Sequence, residues 1–461
     1  MQLLNIPRRF PCGVWFYVLG LNLVMALLFS SGAATYAVVG NVIPHFVTVS
    51  PFHRYLGRVD GPLAYNCKSS EVNKYCYGVD QVRTAYSIAP LLANGFTGKG
   101  RTIVIIDAYQ APHLRDDVGD FDARFGLPPL SLQIIAPDTL PAWDSHDTTQ
   151  QTWAAEISLD VEWAHAMAPD ASITLVESKS ENDPDLIRVL NYTIDHDLGD
   201  VISMSFGESE DCATADVLKA WHEAFEKATR SGITLLSSSG DSGTGEPTCD
   251  NKSWNEAASI PVSDPLVTGV GGTTLNADVK MGTYQSETVW SDPAVRSASG
   301  GGFSAVYQKP AYQDHITAIG EKRGVPDVAY NSSTNHGVVV VWSDGDHGPG
   351  GMYSFGGTSA GTPQWAAIVA IADQYANQRL GFINPLLYQI GSTPVWYQSA
   401  FHDIVDGDNA VNLKSANNTI VMLHGYKAAP GWDATTGLGT PIVSNLVPLM
   451  AQLAVTHQTA P

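Results

Sequence analysis

The chain is poor in positive charge. Lysine and arginine together number 25 against 46 aspartates and glutamates, a formal net charge of −21 over 461 residues. Nucleic acids and anionic membrane surfaces are recognised through basic patches, so this scarcity argues against both as partners. It also suits work in acid, because near pH 4 roughly half the carboxylates are neutral and self-repulsion falls. An ordinary acidic soluble protein has the same balance, so charge alone does not decide. Cysteine is scarce too, at 5 residues. After the N-terminus no segment is long and apolar enough to span a bilayer. Internal repeats and low-complexity tracts are missing as well.

Apolar residues, in contrast, make up 44 % of the chain, enough for a sizeable core and against global disorder. The length suits one large or two ordinary domains. Arg8 and Arg9 precede an apolar run over residues 14–29, and Ser30, Ser31, Gly32, Ala33 and Ala34 follow. That is the order of a secretory signal peptide, so residues 1–37 are expected to be a cleaved signal and the protein to be secreted. A retained membrane anchor is the alternative, although the run is marginal for spanning. Cys12 would leave with the signal. Cys67, Cys76, Cys212 and Cys249 remain, an even number in an exported chain, which favours disulfides over metal ligands. Cys67 and Cys76 are close enough to close a small loop, leaving Cys212 with Cys249, but other connectivities are open.

Residues 38–80 are polar and turn-rich without a strong period, and read as a short N-terminal extension. The texture changes at Thr97. A Thr-Gly-Lys-Gly turn leads into Arg101-Thr-Ile-Val-Ile-Ile-Asp107, whose continuous apolar run reads as a buried parallel strand. Further strands are expected at 171–177, 200–205, 232–238, 269–275 and 337–342. Helical patterns cover 113–125, 153–168, 217–229 and 358–376, with Pro169 ending the second. Strands alternating with helices predict an α/β fold with a mostly parallel central sheet. One domain over 81–455 is simplest, with a C-terminal tail at 456–461.

The segment Ser354-Phe-Gly-Gly-Thr-Ser359-Ala-Gly-Thr-Pro363 places a serine hydroxyl at a helix N-terminus. Free N–H groups there can stabilise a developing oxyanion. Pro363 is expected in the first helical turn, where its missing N–H costs nothing. A plain N-cap serine has the same spacing. A nucleophilic serine needs a base. No histidine stands in a glycine-rich turn entering a helix, and His165 reads as a structural histidine. The 153–168 helix offers Glu156 and Asp160 instead, four residues apart and therefore on one face. Their neighbours in Trp153-Ala-Ala-Glu156-Ile-Ser-Leu-Asp160-Val are uncharged. A shared proton would relieve the repulsion, raising one pKa and linking the two titrations. A solvated acidic helix face is the bland alternative. Asp241, in Ser239-Gly-Asp241-Ser-Gly243, lies just past an apolar strand, where α/β folds place functional groups. A turn aspartate holding its own backbone is the other reading.

In this order the segments resemble the sedolisin family of serine-carboxyl peptidases. The resemblance runs from about Tyr86 to Leu449. It includes Ile-Val-Ile-Ile-Asp107-Ala-Tyr, Glu156-Ile-Ser-Leu-Asp160-Val-Glu-Trp-Ala-His, Val201-Ile-Ser-Met-Ser-Phe-Gly207, Ser239-Gly-Asp241-Ser-Gly, Gly271-Gly-Thr-Thr and Gly357-Thr-Ser359. It implies a subtilisin-like three-layer fold with helices on both faces of the sheet, and hydrolysis of peptide bonds through an acyl-enzyme. Carried over residue by residue, Ser359 is the nucleophile and Glu156 the general base, then acid. Asp160 hydrogen-bonds and orients Glu156, and Asp241 stabilises the oxyanion beside the Ser359 N–H. Only a protonated carboxyl can donate to an oxyanion, so the Asp241 role calls for acid or a raised pKa.

The resemblance extends to calcium loops at Phe401-His-Asp403-Ile404 and Ala429-Pro-Gly431-Trp-Asp433. It implies one structural Ca²⁺ held by the side chains of Asp403 and Asp433 and the carbonyls of Ile404, Ala429 and Gly431, the hard oxygens this ion prefers. Two polar loops without metal are the alternative, and Asp406 and Asp408 read as solvated charges. Ser205-Phe-Gly207 and Gly300-Gly-Gly302 are expected to line the substrate cleft, with structural turn glycines an equally fair reading. The family shows a bridge like Cys212–Cys249, which would brace the Asp241 side of the site. Asn191, Asn251, Asn331 and Asn417 open Asn-x-Ser/Thr sequons. Family precursors commonly carry a long propeptide that is cleaved away. Residues 38–80 are too short for that domain and are candidates to stay attached. The expectation is an acid-acting, monomeric serine-type endopeptidase on polypeptide substrates, or a tripeptidyl exopeptidase of the same family. A catalytically silent member that binds peptides or acts as a scaffold is the rival, disfavoured because every expected catalytic position is filled.

Overall fold

A strand that is apolar at every position needs cover on both faces, and the segment at 102–108 has it. In the computed structural model, which describes residues 53–59 and 75–459, its side chains divide between two cores. Ile103 and Ile105 point into one, Val104 and Ile106 into the other. The targeting-type segment, Cys12 and Cys67 lie outside the described residues. Along the chain the elements that position the site are β1 (His53–Arg58), β2 (Tyr75–Tyr77), β3 (Thr102–Ala108), α1 (Leu114–Phe125), β4 (Leu132–Ile135), α2 (Thr148–Met167) and β5 (Ser172–Ser178). Then come α3 (Asp183–Asp195), β6 (Val201–Met204), α4 (Ala215–Arg230), β7 (Thr234–Ser238), β8 (Thr268–Ala277) and β9 (Tyr284–Val289). The remainder are β10 (Val328–Asn331), β11 (His336–Val341), β12 (Gly351–Phe355), α5 (Thr358–Ala376) and α6 (Val443–Thr459).

The central sheet has strand order β9-β8-β7-β6-β3-β5-β4, with β10 also paired to β8. Every pairing in it is parallel except β8 with β9. Helices α2 and α5 share one core with Ile103 and Ile105. Helices α3 and α4 supply Leu186, Val189, Trp221 and Phe225 to the core on the other face. This is the expected α/β arrangement of a mostly parallel sheet between two helical layers. Helix α3 is absent from the sequence expectation, although Leu186, Val189, Leu190 and Ile194 are buried along it at helical spacing. Among the described residues no helix is long and apolar enough to cross a membrane.

Residues 38–80 read from sequence as turn-rich, and their described part includes strands β1 and β2. They build a second sheet of order β1-β12-β11-β2. Cys212 and Cys249 form a disulfide, and Cys76 is disulfide-bonded. The Asn331 sequon lies in β10 with its side chain buried, accepting from the Leu275 N–H and donating to the His336 carbonyl, so a glycan has no room there.

Candidate active site

Helix α2 begins where the Asp147 carboxylate accepts from the backbone N–H groups of Thr149 (2.9 Å) and Gln150 (3.4 Å). From Trp153 to Met167 every residue is buried. A helix covered all round has no solvated face, so the acidic-surface reading of Glu156 and Asp160 is excluded: both are 0 % exposed. Burial pushes the Glu156 carboxyl well above its ordinary range, and the charges of Asp160 and Asp107 push it further. Burial raises Asp160 as well. His165 sits late in α2 with Nε2 on the Pro128 carbonyl (2.9 Å) and the Asp122 carboxylate (3.0 Å), a structural histidine as expected.

Ser359 is the second residue of α5 and is buried. Its hydroxyl is close enough to the Glu156 carboxyl to lower that pKa, while neither Glu156 oxygen closes a fully formed hydrogen bond. Pro363 departs from expectation. The helix starts at Thr358, so Pro363 stands in the second turn and withholds the N–H that would bond the Ser359 carbonyl.

Asp241 follows β7. Its Oδ1 accepts from the Thr358 N–H (2.7 Å) and the Thr358 hydroxyl (2.8 Å), which ties it to the start of α5. Its Oδ2 is buried with no partner. Burial raises this carboxyl to about 6. The approach is possible because residue 357 is glycine: its φ is +111°, and a Cβ there would stand 2.6 Å from Asp241 Oδ2. The charge of Asp241 also acts on Glu156, so Ser359, Glu156, Asp160 and Asp241 converge.

A fifth group belongs to the cluster. Asp107 is the penultimate residue of β3, fully buried, with both carboxyl oxygens unpartnered. Burial raises its pKa, and Asp160 and Glu177 raise it further. Sequence reasoning noted Asp107 only as the end of a strand motif. The available signal was a carboxylate closing an apolar strand at the C-terminal edge of a parallel sheet.

Around this centre, Ser205 is near enough to Asp160 to lower its pKa. Gly300 donates its N–H to the Gly240 carbonyl (2.7 Å), and a Cβ on Gly300 would collide with the Ser239 carbonyl. Its lack of a side chain is thus already required by packing against the Asp241 loop. The Cys212–Cys249 bridge lies on the same side of the sequence, spanning β7 and Asp241.

The two expected calcium loops meet. Asp403 Oδ1 accepts from the Gly431 N–H (3.0 Å) and the Tyr397 hydroxyl (2.9 Å). Asp433 Oδ2 accepts from the Ala429 N–H (3.1 Å), and its Oδ1 from the N–H groups of Thr435 and Thr436 (both 2.9 Å). Neither carboxylate forms an ion pair with a described basic side chain. Burial raises the pKa of the Tyr397 phenol, and the charges of Asp403 and Asp433 raise it further. Two carboxylates on meeting loops, with the carbonyls of Ile404, Ala429 and Gly431 in the same segments, make an oxygen-only donor set of the kind Ca²⁺ takes. Among the described residues no group of three or more His, Cys, Asp or Glu is placed to hold a metal, and this set uses only two such side chains.

Residues 136–385 match the subtilase family, Peptidase S8. Kumamolisin of Bacillus sp. (strain MN-32) is 30 % identical over 421 residues, which cover 89 % of this chain and 69 % of kumamolisin. Mouse tripeptidyl-peptidase 1 is 31 % identical over 302 residues, 62 % of this chain and half of that protein. The structure of Pseudomonas sedolisin, a serine-carboxyl proteinase complexed with two molecules of pseudo-iodotyrostatin, superposes with a TM-score of 0.69 at 26 % identity, covering 82 % of this chain and 99 % of that one. With the buried carboxyl cluster and the serine at the head of α5, these similarities mean that the chain belongs to the sedolisin family of serine-carboxyl peptidases, within the subtilases.

Proposed function

We propose that this chain is a secreted, acid-acting peptidase that cleaves polypeptides through an acyl-enzyme on Ser359. The observation that carries the proposal is the Asp241 carboxyl. One oxygen is tied to Thr358 and the other is unpaired, at the head of the helix that bears Ser359 and beside Glu156. In the reaction the Ser359 Oγ attacks the scissile carbonyl carbon and its proton passes to Glu156. The carbonyl electron pair moves to oxygen, held by the protonated Asp241 and the Ser359 N–H. Collapse restores the carbonyl and expels the amine, which takes the proton from Glu156. Water then attacks the ester, giving its proton to Glu156, and Ser359 regains one as it leaves. Asp160 orients Glu156 throughout.

A base must be ionised, yet Glu156 is raised. Burial and mutual repulsion disfavour more than one negative charge among Glu156, Asp160 and Asp107. The mechanism needs one carboxylate in this cluster: the Ser205 hydroxyl favours the charge on Asp160 and the Ser359 hydroxyl favours it on Glu156, so the pair shares it and Glu156 holds it when Ser359 gives up its proton. The pH dependence follows. Asp241 is neutral, and a donor, below about 6, and turns anionic and repels the oxyanion as the pH rises through that value. Digestion of denatured protein is therefore expected to peak in acid and to fall through about pH 6. A peak above neutrality would discard the carboxyl-base mechanism. Mass spectra of the products separate endopeptidase action from release of N-terminal tripeptides, the activity named in tripeptidyl-peptidase 1.

The N-terminal segment and the Cys212–Cys249 bridge support export to an oxidising compartment. One structural Ca²⁺, held by Asp403, Asp433 and the carbonyls of Ile404, Ala429 and Gly431, would neutralise the paired carboxylates and clamp their loops. Chelation with EDTA is expected to lower the thermal midpoint by about 3 °C or more, and calcium but not magnesium to restore it. An unchanged midpoint would remove the ion from the proposal. The enzyme is proposed to act as a monomer.

A further inference from the structure

Strand β1 lies in the N-terminal extension, ahead of residues 136–385 that match the subtilase family, yet it is built into the sheet that delivers the serine. It pairs antiparallel with β12, with His53 opposite Phe355, Tyr55 opposite Tyr353 and Arg58 opposite Gly351. The Val59 N–H continues the ladder onto the Gly350 carbonyl (2.9 Å). Strand β12 ends at Phe355, and Gly356-Gly357-Thr358 lead directly to Ser359. In the order β1-β12-β11-β2, β1 is the edge. Without it β12 would become the edge, with a row of unpaired backbone groups next to the nucleophile.

Side chains reinforce the pairing. His53 stacks on Phe355 (5.4 Å between ring centroids) and meets Trp342 and Tyr353 edge-on (5.1 and 5.5 Å). Tyr55 stacks on His347 at 3.7 Å and meets Tyr353 at 5.4 Å. A bulge between Tyr55 and Gly57 re-aims the strand, and Leu56 and Val59 pack against the main core. Cross-strand aromatic pairs of this kind are what hold a register in place.

We propose that β1 is a permanent part of the working enzyme, a brace that positions β12 and through it Ser359, and not a pro-segment discarded on maturation. The inference rests on Ser359 as the nucleophile. Its first test is the intact mass and peptide map of the active, gel-filtered protein, which is expected to contain residues 53–59. An active fraction lacking them would overturn it. The second is the double substitution His53→Ser with Tyr55→Ser, which removes the aromatic contacts and leaves the backbone ladder. It is expected to lower the thermal midpoint by about 3 °C or more and kcat by about 3- to 10-fold with KM little changed. Phenylalanine at both positions is expected to restore both. A lower midpoint with unchanged kcat would reduce β1 to a stabilising strand and overturn the positioning role. Ser359→Ala is assayed in parallel: if it stays active, the nucleophile assignment fails, while the mass and thermal results still report on β1 alone.

Discussion

Ser359→Ala is expected to digest denatured protein about 10⁴-fold or more slowly than wild type across the range from about pH 2.5 to about pH 8. The substitution removes one buried oxygen at the second residue of α5 and leaves the helix intact. Alanine is the best helix former, so the fold is retained and the thermal midpoint is the control. Glu156→Gln is expected to lose nearly as much. The amide keeps the shape of the side chain but cannot take the serine proton. Because the two residues act as a unit, the double variant should be little worse than either single one. Equal hydrolysis by wild type and Ser359→Ala would sink the assignment of Ser359 as the nucleophile, and no hydrolysis by either would favour the silent, peptide-binding reading.

Asp241→Ala is expected to lower kcat by about 10²- to 10³-fold, the usual loss for one oxyanion donor. Asp241→Asn is the more discriminating variant. Its Oδ1 can keep both bonds from Thr358, which places Nδ2 where the unpaired Oδ2 now stands. That nitrogen donates at every pH. The variant should therefore lose less than alanine in acid, and its profile should run flat where wild type falls through about 6. A wild-type fall retained in Asp241→Asn would assign the titration to another group. An Asp241→Ala enzyme within about 3-fold of wild type would deny the oxyanion role.

Much of this centre was legible before any coordinates. The apolar run ending at Asp107 marked β3, and the pattern over 358–376 marked α5 to the residue. The spacing of Glu156 and Asp160 placed them on one helix face, but only packing showed that face to be buried. Asp107 went unassigned because it is about fifty residues from Glu156 in sequence and meets it only when β3 lies beneath α2. Strand β1 was invisible for a related reason. A short edge strand carries little periodicity of its own, and its partner β12 is some three hundred residues away.

By itself the sequence determined the elements whose signal is local: strands covered on both faces, helices with continuous apolar cover, and a serine behind a glycine turn. It also determined the chemical inventory, in which carboxyls stand where a histidine base would otherwise be sought. Tertiary structure decided which carboxyls share a site and which of them, Asp241, is tied by one oxygen to the head of α5. It also decided what braces the strand leading to Ser359. The physical reason is that burial and pairing create these properties. A carboxyl's pKa depends on the groups that exclude water from it, and those groups come from distant parts of the chain.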